Sequence, residues 1–471
     1  MSKTDTIFRC IPCGAEYKAK PHGVCRKCGA FQEFEEVASS TLNNAGGGQQ
    51  AGVKTAGAAR PTRKASTIGE LNNKPVERVR TGIEELDRVL GGGFVKGEVA
   101  MLSASPGSGK STISMSISDK FANMGKKVLY VSGEESEQQI ALRAKRMNVD
   151  SPSIKIVNET TVETILGHVE EEKPDLLIID SLQTMASSTL TGSMGSIGQS
   201  KEAASVFTLL AKREQIITIL ISQVTKGSGN ELNFAGSNQI AHIVDCILYL
   251  ESDSETPLKF LRAEKNRFGD TTEVGVFQHE ENGLMEVSDP SGILLDADEN
   301  STPLSGTSIS FISEGVRQIP VEIQALVSTS NMPNPRKQFN GVDYGRGQIV
   351  CAILDKFCNA QLYDNDVFVN TVSGIKVKDP MADLAIAASI LSSVKDRTMI
   401  EPTAFAGELS LTGQVRGSFM IENKIREAER LGFKKIVIPE TAKRNLHWKN
   451  NSNIKIAYIS SVRDLMKFFA K

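Results

Sequence analysis

The chain has no uncharged apolar run that approaches the roughly 18 residues needed for a membrane-spanning helix. Its N-terminus also lacks the apolar segment of a secretory signal. The chain also has no large excess of charge of either sign, because the net charge of the 471 residues is −2. Any nucleic-acid binding must therefore come from a local basic stripe or an oligomeric channel. We predict a cytoplasmic protein without a membrane partner, in roughly three domains by its length.

Cysteine is scarce, and most of it lies near the N-terminus. Four of the seven cysteines form two Cys-x-x-Cys pairs separated by eleven residues, with a glycine after each pair: Cys10 and Cys13, then Cys25 and Cys28. Four thiolates at this spacing can surround Zn²⁺ tetrahedrally, and so short a segment builds no core without a metal. A disulfide or iron–sulfur arrangement stays open as the less favoured alternative. We predict a zinc-binding module over residues 1–36.

Residues 37–75 are rich in small and polar side chains and poor in large apolar ones, which is typical of a flexible linker. The later part of this segment is basic, and Arg78 and Arg80 follow it. For these cations we favour solvated linker positions over contacts with nucleic acid, but both remain open.

Residues 99–112 carry the pattern on which the functional prediction depends. An apolar strand leads into a loop of small residues and then into a helix, which is the layout of a phosphate-binding P-loop. Ala104 stands where the pattern usually has glycine, and alanine is acceptable there unless φ is positive. Lys110 would reach the β- and γ-phosphates and Ser111 would bind Mg²⁺. The predicted nucleotide-binding residues are Pro106, Gly107, Ser108, Gly109, Lys110, Ser111 and Thr112.

Downstream of the P-loop, apolar strands alternate with amphipathic helices. This alternation predicts an α/β fold with a mostly parallel sheet covered by helices on both faces. Asp180 ends one predicted strand and is therefore a second candidate for the Mg²⁺ shell. Glu134 and Glu135 follow another strand, and either could orient the attacking water. Gln223 ends a third strand and could sense the γ-phosphate.

Two cations, Lys265 and Arg267, lie past a later β run, far in sequence from the P-loop. Further β runs are predicted at 243–250, 258–265 and 272–277. The two cations could equally form surface ion pairs, which are usually weak.

The core resembles the RecA/DnaB superfamily, and the whole chain resembles the RadA (Sms) family of bacterial DNA-repair ATPases. The resemblance implies a RecA-like domain over 76–289 and a homo-oligomeric ring, expected to be a hexamer, that translocates on single-stranded DNA. It assigns the catalytic glutamate to Glu134 and brings Lys265 and Arg267 to the nucleotide of a neighbouring subunit. Gln223 departs from the histidine that the family often has.

Two loops follow core strands where such a ring faces its channel, at 185–200 and 225–238. The first has no charged side chain, and the second carries Lys226 as its one cation. Small residues with free N–H groups could hold a phosphate backbone without reading bases. Surface loops without a DNA contact are the alternative.

After a polar connector at 290–306, residues 307–471 resemble the α+β peptidase domain of Lon, whose lysine activates a serine. Met381 occupies the serine position and Lys424 keeps the lysine position. Because a thioether cannot accept an acyl group, the resemblance implies a proteolytically inactive scaffold for ring assembly. Candidate DNA contacts in this half are Arg336, Lys337 and Arg346, with solvated surface as the alternative.

These features, together with the resemblance to the RadA family, imply a Zn²⁺-containing, DNA-dependent ATPase that uses Mg²⁺ and ATP. We expect a hexameric helicase or translocase on single-stranded and branched DNA. It would promote branch migration and strand exchange beside a RecA-type recombinase in DNA repair, and also act in natural transformation. Two alternatives are an ATP-dependent protease, against which Met381 argues, and an ATP-regulated assembly switch that does not move along DNA.

Overall fold

The structure, a computed structural model, describes residues 6–11, 15–17, 24–25, 27, 34–38, 67, 77–226, 232–234, 238–252, 256–280, 283–295, 304–417, 419–448 and 453–470. Cys13, Cys28 and nearly all of the predicted linker lie outside the described residues. The chain divides into two compact units. The first comprises Met1–Glu251, Leu261–Thr271 and His279–Met285, and the second Ser252–Phe260, Thr272–Gln278 and Glu286–Lys471. The connector at 290–306 stays a prediction, since 296–303 are not described.

The N-terminal segment forms a small antiparallel sheet in the order β2-β1-β3. Its strands are β1 (Thr6–Cys10), β2 (Glu16–Tyr17) and β3 (Phe34–Ala38). Cys10 ends β1 and is buried, as is Cys25.

A ten-stranded sheet has the order β15-β14-β13-β12-β6-β10-β9-β7-β8, while β11 pairs with β10. Most of this sheet belongs to the first unit, but residues 274–278 of β14 belong to the second. A separate two-stranded sheet pairs β4 with β5. The strands from β4 onward are β4 (Arg78–Val79), β5 (Phe94–Val95), β6 (Val99–Ala104), β7 (Val128–Ser132), β8 (Ile154–Asn158), β9 (Leu176–Asp180), β10 (Ile217–Lys226), β11 (Leu232–Phe234), β12 (Cys246–Ser252), β13 (Leu258–Asn266), β14 (Val274–Glu280) and β15 (Gly283–Glu286). The helices are α1 (Glu84–Leu90), α2 (Lys110–Asn123), α3 (Glu137–Arg146), α4 (Val162–Glu172), α5 (Ile197–Glu214) and α6 (Asn238–Ile243).

Six neighbouring strands, from β12 through β6 to β8, run parallel. The strands β6, β7 and β9 are buried over their whole lengths, as expected when helices cover both faces of a sheet. The α/β prediction is therefore confirmed for this core. Because parallel strands bring their carboxyl ends to one edge, the residues that follow β6, β7 and β9 meet there. Gln223 of β10 lies opposite Ala104, the last residue of β6, and so belongs to the same edge.

Local sequence explains where the core helices start. Ser136 precedes α3, and its hydroxyl accepts from the backbone N–H of Gln139 while the Gln139 side chain accepts from the Ser136 N–H. This reciprocal capping box satisfies two N–H groups that a helix start leaves unpaired. Ser196 caps α5 in the same way, by accepting from the N–H of Gln199.

The β run predicted at 243–250 is wrong in its first residues. Helix α6 occupies Asn238–Ile243, and β12 begins only at Cys246. The Lys265 ammonium donates to the carbonyls of Ala241 and Val244, each at 2.7 Å, and so satisfies the end of this short helix. The end of α6 is thus stabilised by Lys265, more than twenty residues away in sequence. The pattern of apolar residues within 243–250 cannot reveal such a contact.

The second unit has a mixed seven-stranded sheet in the order β18-β19-β17-β16-β20-β23-β24, and a separate hairpin of β21 and β22. The strands are β16 (Thr307–Glu314), β17 (Arg317–Thr329), β18 (Lys337–Asn340), β19 (Asn365–Thr371), β20 (Thr403–Phe405), β21 (Glu408–Leu409), β22 (Val415–Arg416), β23 (Lys435–Pro439) and β24 (Lys455–Ile459). The helices are α7 (Ser291–Leu294), α8 (Tyr344–Cys358), α9 (Asp383–Lys395) and α10 (Ile421–Arg430). One apolar core lies against α8 and α9, and another against α10. Among the described residues, no helix is both long and apolar enough to cross a membrane.

Candidate active site

The loop between β6 and α2 has the backbone of an anion cradle. Gly107 and Gly109 have φ values of 74° and 104°, which favour glycine, and α2 begins directly after Gly109. A Cβ at Gly107 would meet no atom within 4 Å, so this side of the loop faces open space. Ala104 ends β6 without a positive φ, and alanine therefore fits where the P-loop pattern usually has glycine.

The Lys110 ammonium lies folded over the P-loop. It donates to the carbonyls of Ala104 at 2.9 Å and Ser105 at 3.2 Å. Burial lowers the pKa of Lys110, while the charges of Asp180 and Glu134 act in the opposite direction. The ammonium thus contacts the loop and lies within electrostatic reach of two carboxylates, and a nucleotide phosphate could replace the carbonyls as its partner.

Asp180 lies at the carboxyl end of β9, next to the start of α2. Its carboxylate accepts hydrogen bonds from Tyr130, with 2.6 Å between Oη and Oδ2, and from Ser111. Burial raises the pKa of Asp180, and the two hydrogen bonds oppose that rise. A serine hydroxyl and a carboxylate in contact are hard oxygen ligands of the kind that Mg²⁺ prefers. The residues present therefore fit a Mg²⁺ ion bound together with a nucleotide.

The adjacent glutamates Glu134 and Glu135 have different partners. Glu134 accepts from the Ser181 hydroxyl and, at 3.3 Å, from the amide of Gln223. Glu135 forms an ion pair with the Arg143 guanidinium. Glu134 therefore contacts Ser181, which follows β9, and Gln223 of β10, whereas Glu135 is held against α3. The prediction that Gln223 ends its strand is wrong, because β10 continues to Lys226, where it pairs with β11. This arrangement favours Glu134 as the residue that orients water.

Lys265 and Arg267 lie at the other end of the sheet from the P-loop. Arg267 donates to Asp245 Oδ1 and to the carbonyl of His242, both at 3.1 Å. The second oxygen of Asp245 accepts from the backbone N–H of Val99, where β6 begins. Since β6 rises about 3.3 Å per residue, its P-loop end lies about 17 Å farther on. Burial lowers the pKa of Lys265, and the charge of Arg267 adds to the effect.

Arg78 is not a solvated linker residue, and that prediction is wrong. Its guanidinium donates to the carbonyls of Leu90 at 3.0 Å and Gly93 at 2.9 Å, and also to the carbonyl of Phe268. These bonds satisfy the carboxyl end of α1 and join it to the loop that contains Arg267. Arg80, in contrast, is exposed.

The predicted DNA contacts of the second unit are not equally available. Lys337 donates to the carbonyls of Leu362 and Asn365, and Arg346 forms a bidentate pair with Asp383. Arg336 is exposed. The internal contacts of Lys337 and Arg346 weaken the argument for them as phosphate ligands. Of Lys226 the structure describes only the backbone, at the end of β10.

The metal prediction at the N-terminus is tested on half of its ligands. Cys10 and Cys25 are buried, and the Tyr17 hydroxyl lies 3.1 Å from the Cys25 sulfur. Within the described ranges, which omit Cys13 and Cys28, no cluster of three or more His, Cys, Asp or Glu side chains could hold a metal. The four-cysteine site stays a prediction.

Lys424 has a partner, although Met381 replaces the serine of the Lon pattern. Its ammonium is fully buried and donates to Asp379 at 2.8 Å, to the Ser313 hydroxyl at 3.0 Å and to the carbonyl of Phe311. Burial lowers the pKa of Lys424, but the Asp379 carboxylate counteracts this. Met381 is buried in the core beside α10. An ammonium held by a carboxylate is a poor general base. That this domain is proteolytically inactive stays a prediction.

Sequence reasoning missed three residues of this site. Tyr130 and Ser181 hydrogen-bond the two candidate catalytic carboxylates, and Arg143 neutralises Glu135. Two of them had a visible signal. Ser181 follows Asp180 directly, and Tyr130 is the one polar aromatic residue in the otherwise apolar first part of β7. No local pattern pointed to Arg143.

Comparison with known proteins finds relatives over the full length of the chain. The chain is 36% identical over 469 residues to the DNA repair protein RadA of Bacillus subtilis (strain 168), with 99% of each chain covered. It is 34% identical over 466 residues to RadA of Listeria monocytogenes, with 99% of this chain and 98% of the relative covered. For RadA of Pseudomonas aeruginosa the identity is 37% over 446 residues, with 93% and 94% covered.

Family models and a solved structure match parts of the chain. Residues 79–172 match the model described as ATPase: KaiC, and residues 346–442 the model of subunit ChlI of Mg-chelatase. A crystal structure of a KaiC-like protein from Pyrococcus horikoshii OT3 aligns with 21% identity and a TM-score of 0.38, over 45% of this chain and all of the other. The match of residues 79–172 to the KaiC ATPase model confirms the P-loop ATPase core predicted from the sequence.

Proposed function

The chain belongs to the RadA family of DNA repair proteins, and we propose that it is a DNA-stimulated, Mg²⁺-dependent ATPase acting as a hexameric helicase or translocase. It works in the cytoplasm on single-stranded and branched DNA. There it promotes branch migration and strand exchange beside a RecA-type recombinase. The observation that carries the proposal is the convergence of Lys110, Asp180 and Glu134 at one edge of the sheet.

The residues at this edge divide the chemistry of phosphoryl transfer among them. Lys110 and the N–H groups of 106–112 bind the phosphates, while Ser111 and Asp180 hold Mg²⁺, which neutralises phosphate charge. Glu134 orients the attacking water. Gln223, bonded to Glu134 at 3.3 Å, links the γ-phosphate position to β10 and the loop that follows it.

The position of Lys265 and Arg267 supports the proposal that they act on the nucleotide of a neighbouring subunit. Both are anchored about 17 Å of strand away from the P-loop of their own chain. In the proposed ring they stabilise charge on the nucleotide of the neighbouring subunit, in the manner of an arginine finger.

DNA binding in this proposal uses the predicted segments 185–200 and 225–238. The first leads from β9 to the start of α5, and the second includes the end of β10, β11 and the start of α6, so neither is a loop throughout. Gln199 organises the first segment: it donates to the carbonyls of Ser187 and Leu190 and accepts from the N–H of Ser187. This segment carries no charge, so it would hold the DNA backbone through N–H and hydroxyl groups. Lys226 and Arg336 are the favoured cationic contacts.

We also propose that Cys10, Cys13, Cys25 and Cys28 bind one structural Zn²⁺ per chain. The burial of Cys10 and Cys25 and the closeness of the Tyr17 hydroxyl to Cys25 support this. Elemental analysis of the purified protein is expected to give one zinc per chain, released by a chelator together with unfolding of the module. Iron in place of zinc would refute the assignment.

The deciding experiment measures ATP hydrolysis and strand displacement on forked DNA, with size analysis in the presence and absence of nucleotide. We expect single-stranded DNA to stimulate hydrolysis, nucleotide to favour a ring, and Lys110→Ala to abolish both turnover and displacement. A protein that hydrolyses ATP at one rate with or without DNA, and displaces no strand, is an ATP-regulated switch instead.

A further inference from the structure

Tyr130 brings a polar group into an otherwise apolar part of the core. All five residues of β7 are buried, and Tyr130 has no exposed surface. A buried hydroxyl needs a hydrogen-bond partner, and this one donates to Asp180 Oδ2 at 2.6 Å. The hydroxyl therefore does something that a phenylalanine of the same shape could not do.

The two parallel strands fix both ends of this hydrogen bond. Tyr130 lies opposite Ile178, and Ser132 lies opposite Asp180. Tyr130 and Asp180 are thus diagonal neighbours on one face of the sheet, within the reach of an aromatic side chain. The ring packs in the core, so the direction of the hydroxyl is set by the fold and not by the nucleotide.

The hydrogen bond decides how the Asp180 carboxylate can be used. One of its oxygens, Oδ2, is taken by Tyr130, and the Ser111 hydroxyl at the start of α2 also bonds the carboxylate. We propose that Tyr130 is a positioning residue that orients Asp180 toward Ser111, so that the two present a preformed pair of oxygen ligands to Mg²⁺. This inference rests on the proposed function, because it needs Asp180 to serve a Mg²⁺–nucleotide complex.

The test compares the full-length protein with its Tyr130→Phe variant, which loses only the hydroxyl. Binding of a fluorescent ADP analogue is measured as Mg²⁺ is titrated, and again in EDTA. Loss of a hydrogen bond to a charged acceptor is expected to raise the Mg²⁺ concentration at half-saturation about tenfold. Affinity in EDTA should stay unchanged, and excess Mg²⁺ should restore ATP turnover.

Two further variants keep the result unambiguous. Tyr458→Phe makes the same chemical change in the second unit and should leave the Mg²⁺ titration unaltered. If Tyr130→Phe does not fold, Tyr130→Met, whose flexible side chain adapts to core space, should show the same shift.

The outcomes separate this inference from the proposed function. A wild-type protein that binds the analogue equally well in Mg²⁺ and in EDTA would fail the proposed function itself. A Mg²⁺-dependent wild type whose titration coincides with that of the variant would overturn only the role of Tyr130. Weaker binding in EDTA, without a shift in the Mg²⁺ requirement, would make Tyr130 merely structural and would also overturn it.

Discussion

Exchanging the two adjacent glutamates for glutamine, one at a time, tests the catalytic assignment most directly. Glu134→Gln keeps an oxygen that can accept from Ser181 and an amide next to Gln223, but it removes the negative charge that orients and activates water. Loss of a general base typically costs 10²- to 10⁴-fold in rate, which is about 3–5 kcal/mol of barrier. We therefore expect turnover to fall at least a hundredfold while nucleotide affinity is retained.

Glu135→Gln should act on stability instead. It breaks the ion pair with Arg143. The Glu135 side chain is 33% exposed and the Arg143 side chain 17%. For a partly exposed pair the loss is about 1 kcal/mol of unfolding free energy. That corresponds to about 3 °C in melting temperature for a domain of this size. Turnover should stay within about threefold of wild type, since Glu135 faces α3 and not Gln223.

The assay is steady-state phosphate release at saturating ATP and single-stranded DNA, beside thermal unfolding and binding of a fluorescent nucleotide. The assignment of Glu134 is refuted if Glu135→Gln loses a hundredfold in turnover while Glu134→Gln does not. Equal loss in both variants with unchanged stability would also refute it, because the two glutamates would then act as one unit.

Three other predictions follow from named contacts. When Arg267→Ala and wild-type protein are mixed, ATPase activity should fall faster than the fraction of wild-type subunits, because one variant subunit impairs its neighbour. Activity strictly proportional to the wild-type fraction would contradict action between subunits. Burial raises the pKa of Glu98 to about 7 from 4.5, so the protein should lose about 3 kcal/mol of stability as pH rises between those values. Glu98→Gln, which keeps an acceptor for the Val95 N–H, should therefore be more stable than wild type in urea at pH 8 but not at pH 5, and a constant difference would contradict this. Met381→Ser should not create peptidase activity, because Asp379 holds the Lys424 ammonium; cleavage of casein by this variant would show otherwise.

Much of the core could be predicted because parallel, buried strands leave a strong local signal. The run of apolar residues that ends in Asp180 predicts the observed strand from Leu176 to its last residue. Helix α4 likewise begins and ends where its amphipathic pattern does. The meeting of Asp180, Glu134 and Gln223 follows from one rule, that parallel strands share a carboxyl edge.

The parts that could not be predicted depend on partners distant in sequence. Arg78 belongs to a basic stretch by composition, yet it bonds Phe268, 190 residues away. Lys337 and Arg346 look like free cations in the sequence, but Lys337 donates to two backbone carbonyls and Arg346 pairs with Asp383. Charge patterning reveals where cations occur along the chain; the fold decides which of them have charge left for a ligand.

The position of Arg267 also bears on how subunits communicate. Asp245 binds Arg267 through one oxygen and the N–H of Val99 through the other. Val99 begins β6, and β6 leads into the P-loop. If Arg267 moves toward phosphate in a neighbouring site, it must weaken its bond to Asp245, and Asp245 is then left to Val99 and to Lys212, its other cationic partner. In the proposed ring, a carboxylate that holds both the arginine and the first residue of the P-loop strand would connect the neighbour's nucleotide to the subunit's own P-loop.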